Sequence, residues 1–207
     1  MMINVFCMIN KMYIVFDTET TGVPSDGWKD WSECHLIQIG WIIADENFKP
    51  VATKSFIVKN GGQFNSTPGA LAVHHITDGY REAHGVSFAT AIREFMNDCA
   101  NCSGIVCHGA MFDVGLLIKD APIYGFDISG LRGITVYDTK RSEHYAGLYM
   151  NLAETVHKIS PTYAVPMNGA NAHDALYDAY LCLELFSKSD ISQLSSKFES
   201  YEAYLSN

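Results

Sequence analysis

The chain has 207 residues, 48% of them hydrophobic, which is enough for one well-buried core and too few for two full domains. Its 14 Lys plus Arg stand against 23 Asp plus Glu, a net charge of -9, and this excludes a broad basic surface for wrapping a nucleic-acid duplex. A narrow cleft for a short strand stays open, because bound cations supply positive charge locally. No stretch reaches the ~20 apolar residues of a membrane span. The six cysteines (7, 34, 99, 102, 107 and 182) show no paired disulfide spacing, and the start lacks a basic segment and a cleavage site. These features read as a reduced, cytoplasmic protein.

In chain order, residues 1–11 are set apart as an N-terminal extension and 12–207 as a single domain. Residues 12–22, Met-Tyr-Ile-Val-Phe-Asp-Thr-Glu-Thr-Thr-Gly, form an apolar run that ends in two acids separated by one Thr. Alternate side chains of a strand share a face, so Asp17 and Glu19 project together and are placed to share a cation. On their own they read equally as a metal site or as the solvated end of a strand. Gly22 suits a sharp exit and is free to take positive φ.

A polar loop follows over 23–34, with Trp28 and Trp31 packing over the sheet edge or stacking on bases. Strands are expected over 35–45 and 51–59, joined by a polar turn, and short connections make the first three strands an antiparallel meander. Pro68 opens a short helix through about residue 74, and Ser87 caps a longer one through 99. A short apolar strand over 103–108 leads into a helix containing Phe112, Asp113, Leu116 and Leu117. A fifth strand over 134–137 ends in Asp138-Thr139. Helices are expected at 151–159, 173–187 and 190–205, with an irregular stretch over 160–171. A meander followed by alternating strands and helices gives an α/β fold with a mixed five-stranded sheet flanked by helices.

Two further acids carry the chemical argument. Asp113 follows the fourth strand, inside Cys-His-Gly-Ala-Met-Phe-Asp, where sites in open α/β sheets gather. Asp178 lies beside the apolar face of the helix that begins His-Asp-Ala-Leu-Tyr-Asp-Ala, where desolvation makes an unpaired carboxylate costly. Singly, each is more often a surface acid or a cap.

Together, Asp-x-Glu-Thr-Thr-Gly, His-x-x-x-Phe-Asp and His-x-Ala-x-x-Asp-Ala, in this order over about residues 12–187, resemble the three motifs of the DEDDh 3′-5′ exonucleases. That group includes the proofreading epsilon subunit of bacterial DNA polymerase III and stand-alone relatives. The resemblance implies a ribonuclease-H-like fold in which Asp17, Glu19, Asp113 and Asp178 hold two Mg²⁺ or Mn²⁺ ions and His173 is the general base. Carboxylates suit hard divalent ions, and two ions about 4 Å apart stabilise both oxygens of a phosphodiester displacement. The spacing adds an independent point. A Tyr four residues before Asp178 would mark the sister subfamily, but that residue is Asp174. His173, five residues before, would stand about 140° round a continuous helix, so it reaches the site only from a loop or first turn.

The resemblance also implies substrate contacts at Thr18, Thr20, Val23, His74, His108 and Phe112, of which His74 reads almost equally as a cap or core residue. Gly109 departs from it, since the family often has Asn after the His. The implied activity is metal-dependent release of nucleoside 5′-monophosphates from the 3′ ends of single-stranded DNA, preferred over RNA. Alternatives are an exoribonuclease of the same fold and a non-catalytic polymerase-binding subunit. Gln193-Leu-Ser-Ser-Lys-Phe198 faintly resembles a sliding-clamp peptide, so a DNA polymerase or clamp is a candidate partner, although an amphipathic terminal helix explains the segment better. Cys99, Cys102 and Cys107 lack a second matching pair, so core and helix-end thiols are expected in place of a zinc site.

Overall fold

A computed structural model describes residues 11–145, 147–167 and 173–206. The expected N-terminal extension therefore lies almost wholly outside the described residues, as do positions 168–171 of the irregular stretch. The elements in order are β1 (Tyr13–Thr20), β2 (Leu36–Ala44), β3 (Pro50–Lys59), α1 (Pro68–His74), α2 (Asp78–His84), β4 (Val86–Ser87) and α3 (Phe88–Cys99). There follow β5 (Gly104–Cys107), α4 (Ala110–Ile123), β6 (Thr135–Asp138), α5 (Leu152–Ile159), α6 (Ala175–Lys188), β7 (Ser195–Lys197) and α7 (Phe198–Leu205).

The strands form one sheet in the order β4-β3-β2-β1-β5-β6-β7. β1, β2 and β3 are the expected antiparallel meander, while β5 runs parallel to β1, and β6 parallel to β5. The sheet has seven strands, not five. The two additions, β4 and β7, are three residues or fewer at the two edges, too short to show alternation, and each runs directly into a helix. β7 also breaks the helix expected over 190–205. Leu194 and Phe198 are fully buried, so this stretch unwinds to set both in the core and its helical part shortens to α7. Those are the two large apolar residues of the clamp-like segment, which leaves it without an exposed anchor. Helix α2 was not expected; it is one short piece capped by the Thr77 side chain, which accepts the Tyr80 N–H.

Period-two alternation in β1 divides the core. Ile14 and Phe16 pack with Ile92 and Phe95 of α3, Leu116 and Leu117 of α4 and Phe198 of α7. Tyr13 and Val15 pack on the other face with Ala179, Leu183 and Phe186 of α6. α5 lies on the outside of α6 through Val156, Leu181 and Leu185. Among the described residues, no helix is long and apolar enough to cross a membrane.

Candidate active site

The same alternation aims the acids. Asp17 and Glu19 continue the Tyr13–Val15 face toward α6, and Thr18 points the other way, toward α4. The Thr18 hydroxyl donates to Asp113 Oδ1 at 2.7 Å, tying the first turn of α4 to the end of β1. Thr18, expected to touch substrate, thus has its hydroxyl engaged in orienting an acid. Asp113 is 2% exposed, and Glu19 is buried.

Asp178 arrives from the first turn of α6, and two residues that the sequence analysis did not single out bring it there. Gly40 faces Asp17 across the β1–β2 ladder. A Cβ at Gly40 would stand 2.4 Å from the Leu176 nitrogen and 2.7 Å from the Ala175 carbonyl carbon, so only glycine lets the start of α6 rest on the sheet. Gln38, opposite Glu19, donates to Asp174 Oδ2 at 3.1 Å and accepts the Ala175 N–H at 3.2 Å. Asp174 in turn caps the Leu176 and Tyr177 N–H groups. A buried Gln beside a Gly inside the apolar run Leu-Ile-Gln-Ile-Gly-Trp was the available signal.

His173 precedes this cap, as the spacing required, with left-handed backbone (φ 67°). Its N–H donates to Asp178 Oδ2 at 3.1 Å. Ligand-type atoms of Glu19, His173 and Asp178 all lie within 4.8 Å of one another. His173 is exposed and the acids about it are half-buried or buried.

Burial and mutual repulsion hold these carboxyls away from their ordinary range. Burial, then the neighbouring Asp113, Asp178 and Glu19 charges, raise Asp17 well above it. Burial first and then Asp178 push Glu19 up to about 8. Burial takes Asp113 to about 7 against the opposing Thr18 hydrogen bond, and it raises Asp178 against the His173 N–H. Four acids crowded without a cation are unfavourable, and a hard divalent ion is what such a set of oxygens accepts. The donor set fits such a metal.

Two cavities flank the acids. One, of about 310 Å³, is lined by Thr18, Glu19, Thr20, Val23, His74 and Phe112 among others. Five of the six residues expected to contact substrate are therefore brought together. Thr20 is committed locally, its hydroxyl donating to the Gly22 carbonyl at 2.6 Å. Gly22 serves close approach and not positive φ, since a Cβ there would lie 2.8 Å from the Glu33 carbonyl oxygen. His74 Nδ1 accepts the Ile76 N–H at 2.9 Å, which puts the ring proton on Nε2; that buried N–H has no partner among the described residues.

The sixth residue, His108, lines the other cavity, of about 270 Å³, with Asp17, Asn151, Leu152, His173 and Asp178. Burial pushes its pKa down to about 3. Trp31 is buried and Trp28 half-exposed, both in ring contact with Phe112. Cys99 and Cys107 are buried free thiols and Cys102 is a half-buried one, and no group of metal-ligand type includes them among the described residues.

Comparison with known proteins bears on this geometry. Curated proteins gave no match. Among solved structures, E. coli exonuclease I in complex with a dT13 oligonucleotide is similar at 17% identity and a TM-score of 0.66, over 86% of this chain and 41% of that one. Exonuclease X in complex with 5′-overhanging duplex DNA gives 18% and 0.63, over 88% and 96%. A moderately thermophilic exonuclease I from Methylocaldum szegediense gives 16% and 0.61, over 87% and 41%. The chain thus spans well under half the length of exonuclease I. At such identities the likeness shows the fold, a ribonuclease-H-like mixed sheet flanked by helices. The RNase T exonuclease model, however, matches residues 14–186, from β1 almost to the end of α6 and across all four acids, so the chain belongs to this family of DEDD-type 3′-5′ exonucleases.

Proposed function

We propose that the chain is a metal-dependent DEDDh-type exonuclease that removes nucleoside 5′-monophosphates from the 3′ ends of single-stranded DNA. The observation that carries this reading is the convergence of acids from three separate elements, with ligand-type atoms of Glu19, Asp178 and His173 within 4.8 Å of one another, Asp17 and Asp113 near enough for the charges to act on each other, and a cavity beside them. The four carboxylates would hold two Mg²⁺ or Mn²⁺ ions. Bound ions would polarise the phosphodiester and lower the pKa of the attacking water.

The chain's own groups supply the rest. Phe112 and Val23 offer apolar surface to the terminal base, and the unpartnered Nε2–H of His74 donates to the leaving nucleotide. His173, free of the helix and beside Glu19 and Asp178, accepts the proton of the attacking water. Its left-handed backbone is a conformation His tolerates better than most residues. DNA is favoured as substrate because exonuclease I and exonuclease X are described with bound DNA. No partner polymerase or clamp is proposed, with Leu194 and Phe198 in the core.

The test is incubation of 5′-labelled single-stranded DNA and RNA of equal sequence with and without Mg²⁺. A ladder that shortens from the 3′ end, faster on DNA and only with Mg²⁺, is expected. No metal-dependent shortening of either strand, or early loss of the 5′ label, would overturn the reading.

A further inference from the structure

Gly109 departs from the family's usual Asn, and the space such a side chain would fill is taken. A Cβ at Gly109 would lie 3.0 Å from Lys140 Nζ, 3.1 Å from its Cε and 3.2 Å from its Cδ. The exposed Lys140 side chain lies over Gly109, between β5 and α4. Asp138 Oδ1 fixes both ends of this arrangement, accepting the Gly109 N–H at 2.9 Å and the Lys140 N–H at 3.0 Å. The Lys140 ammonium has no ion pair or hydrogen bond among the described residues. Its charge is felt at Asp113 and at His108.

The two cavities give this cation a direction. Thr18 and Glu19 line the one assigned to the terminal nucleoside, and Asp17, Asp178 and His108 line the other. A scissile phosphate held at the acids between them would send the 5′ part of the strand into the second cavity, past His108, the chain neighbour of Gly109. His108 brings no charge to that path. Burial keeps its ring neutral, with Nδ1 2.9 Å from the Thr139 hydroxyl, which donates to the Cys107 carbonyl at 3.2 Å.

We infer that Lys140, lying over Gly109, binds the phosphate immediately upstream of the scissile one. This rests on the proposed exonuclease function and puts a cation over the position where the family often has Asn. A single charge-assisted contact to a phosphate anchors the strand without touching the reacting atoms, so it acts on substrate binding and not on the chemical step.

The test compares parent, Lys140→Met and Lys140→Arg on two substrates in saturating Mg²⁺. The dinucleotide NpN has only the scissile phosphate; the trinucleotide NpNpN adds the upstream one. On NpNpN, Lys140→Met should raise KM roughly tenfold with kcat within about twofold, and the slope of log KM against log salt should drop by about 0.7. Lys140→Arg should restore both. On NpN the three proteins should be alike, and their melting temperatures should agree because the residue is exposed. Equal KM on NpNpN for parent and Lys140→Met would overturn the inference, and so would a penalty of the same size on NpN. An inactive parent would instead sink the exonuclease reading itself.

Discussion

Helix α4 carries two acids seven residues apart, about 10 Å along its axis, and both are removed from solvent: Asp113 is 2% exposed and Asp120 0%. Their surroundings differ. Asp120 accepts the Leu36 N–H at 2.8 Å, meets His35 Nδ1 at 3.0 Å and has the Lys119 ammonium at 3.1 Å. Asp113 has a hydroxyl donor, Thr18, a backbone N–H and the unpaired Lys140 charge on one side, and two acids on the other: Asp138 beside it, and Asp17, whose own pKa it raises. The fold completes Asp120 internally and leaves the Asp113 cluster to be completed from outside. A buried acid with its full set of donors is a structural post, and a buried acid among acids is a site waiting for a cation.

Breaking the two clusters should therefore have opposite consequences. The largest effect belongs to Asp178→Asn, which removes the charge of a proposed ligand. Metal-dependent turnover should fall by about 10³-fold or more while the fold persists, as checked by single-turnover assays and circular dichroism. His173→Ala removes the proposed base and no carboxylate, so turnover should fall ~10² to 10⁴-fold with Mn²⁺ binding retained in a calorimetric titration. Loss of metal binding as complete as in Asp178→Asn would make His173 a ligand. On the structural side, Asp120→Ala strands the Leu36 N–H and the His35–Lys119 pair, and denaturant unfolding should show a cost of about 3–5 kcal/mol. Gly40→Ala should cost about 1–3 kcal/mol and lower activity as well, because the start of α6 must move off the sheet and carry Asp178 with it.

An effect no larger than that of Gly40→Ala sharpens the contrast by its sign. Glu19 is an acid whose native pKa, about 8, lies above its ordinary 4.5, and Asp113 moves from 3.8 to about 7 in the same sense. Between those values the metal-free native state holds protons that the unfolded chain releases. Stability in a chelator should thus fall as pH rises from about 4 to about 8. Glu19→Gln should then be more stable than the parent at pH 8 by about 1–3 kcal/mol, with a flatter pH profile. Glu19→Gln less stable than the parent in chelator would contradict this account of the cluster.

The meeting of the acids with His173 was as legible in the sequence as the main strands of the fold. The acids and His173 were readable because one strand with period two and one helix start fix which faces they share, and those are local rules. The five main strands were readable for the same reason. What escaped depends on groups distant in sequence. Gly40 matters because of Leu176, Gln38 because of Asp174, and Lys140 because of Gly109. The terminal segment was misread as one helix because its pattern is amphipathic, yet burying Leu194 and Phe198 while pairing with β6 costs that helix its first half. Thr18 and Thr20 were given to the substrate, but each spends its hydroxyl within the protein.

The central claim is that the β1–α4–α6 acids are a set which an external cation completes. It is tested most directly by following the melting temperature at pH 8 as Mn²⁺ is added to the chelator-treated protein. The account predicts a rise equivalent to about 2.7 kcal/mol at a hundredfold excess over Kd, kept in His173→Ala and lost in Asp178→Asn. A melting temperature indifferent to Mn²⁺, or one that rises equally in Asp178→Asn, would contradict it.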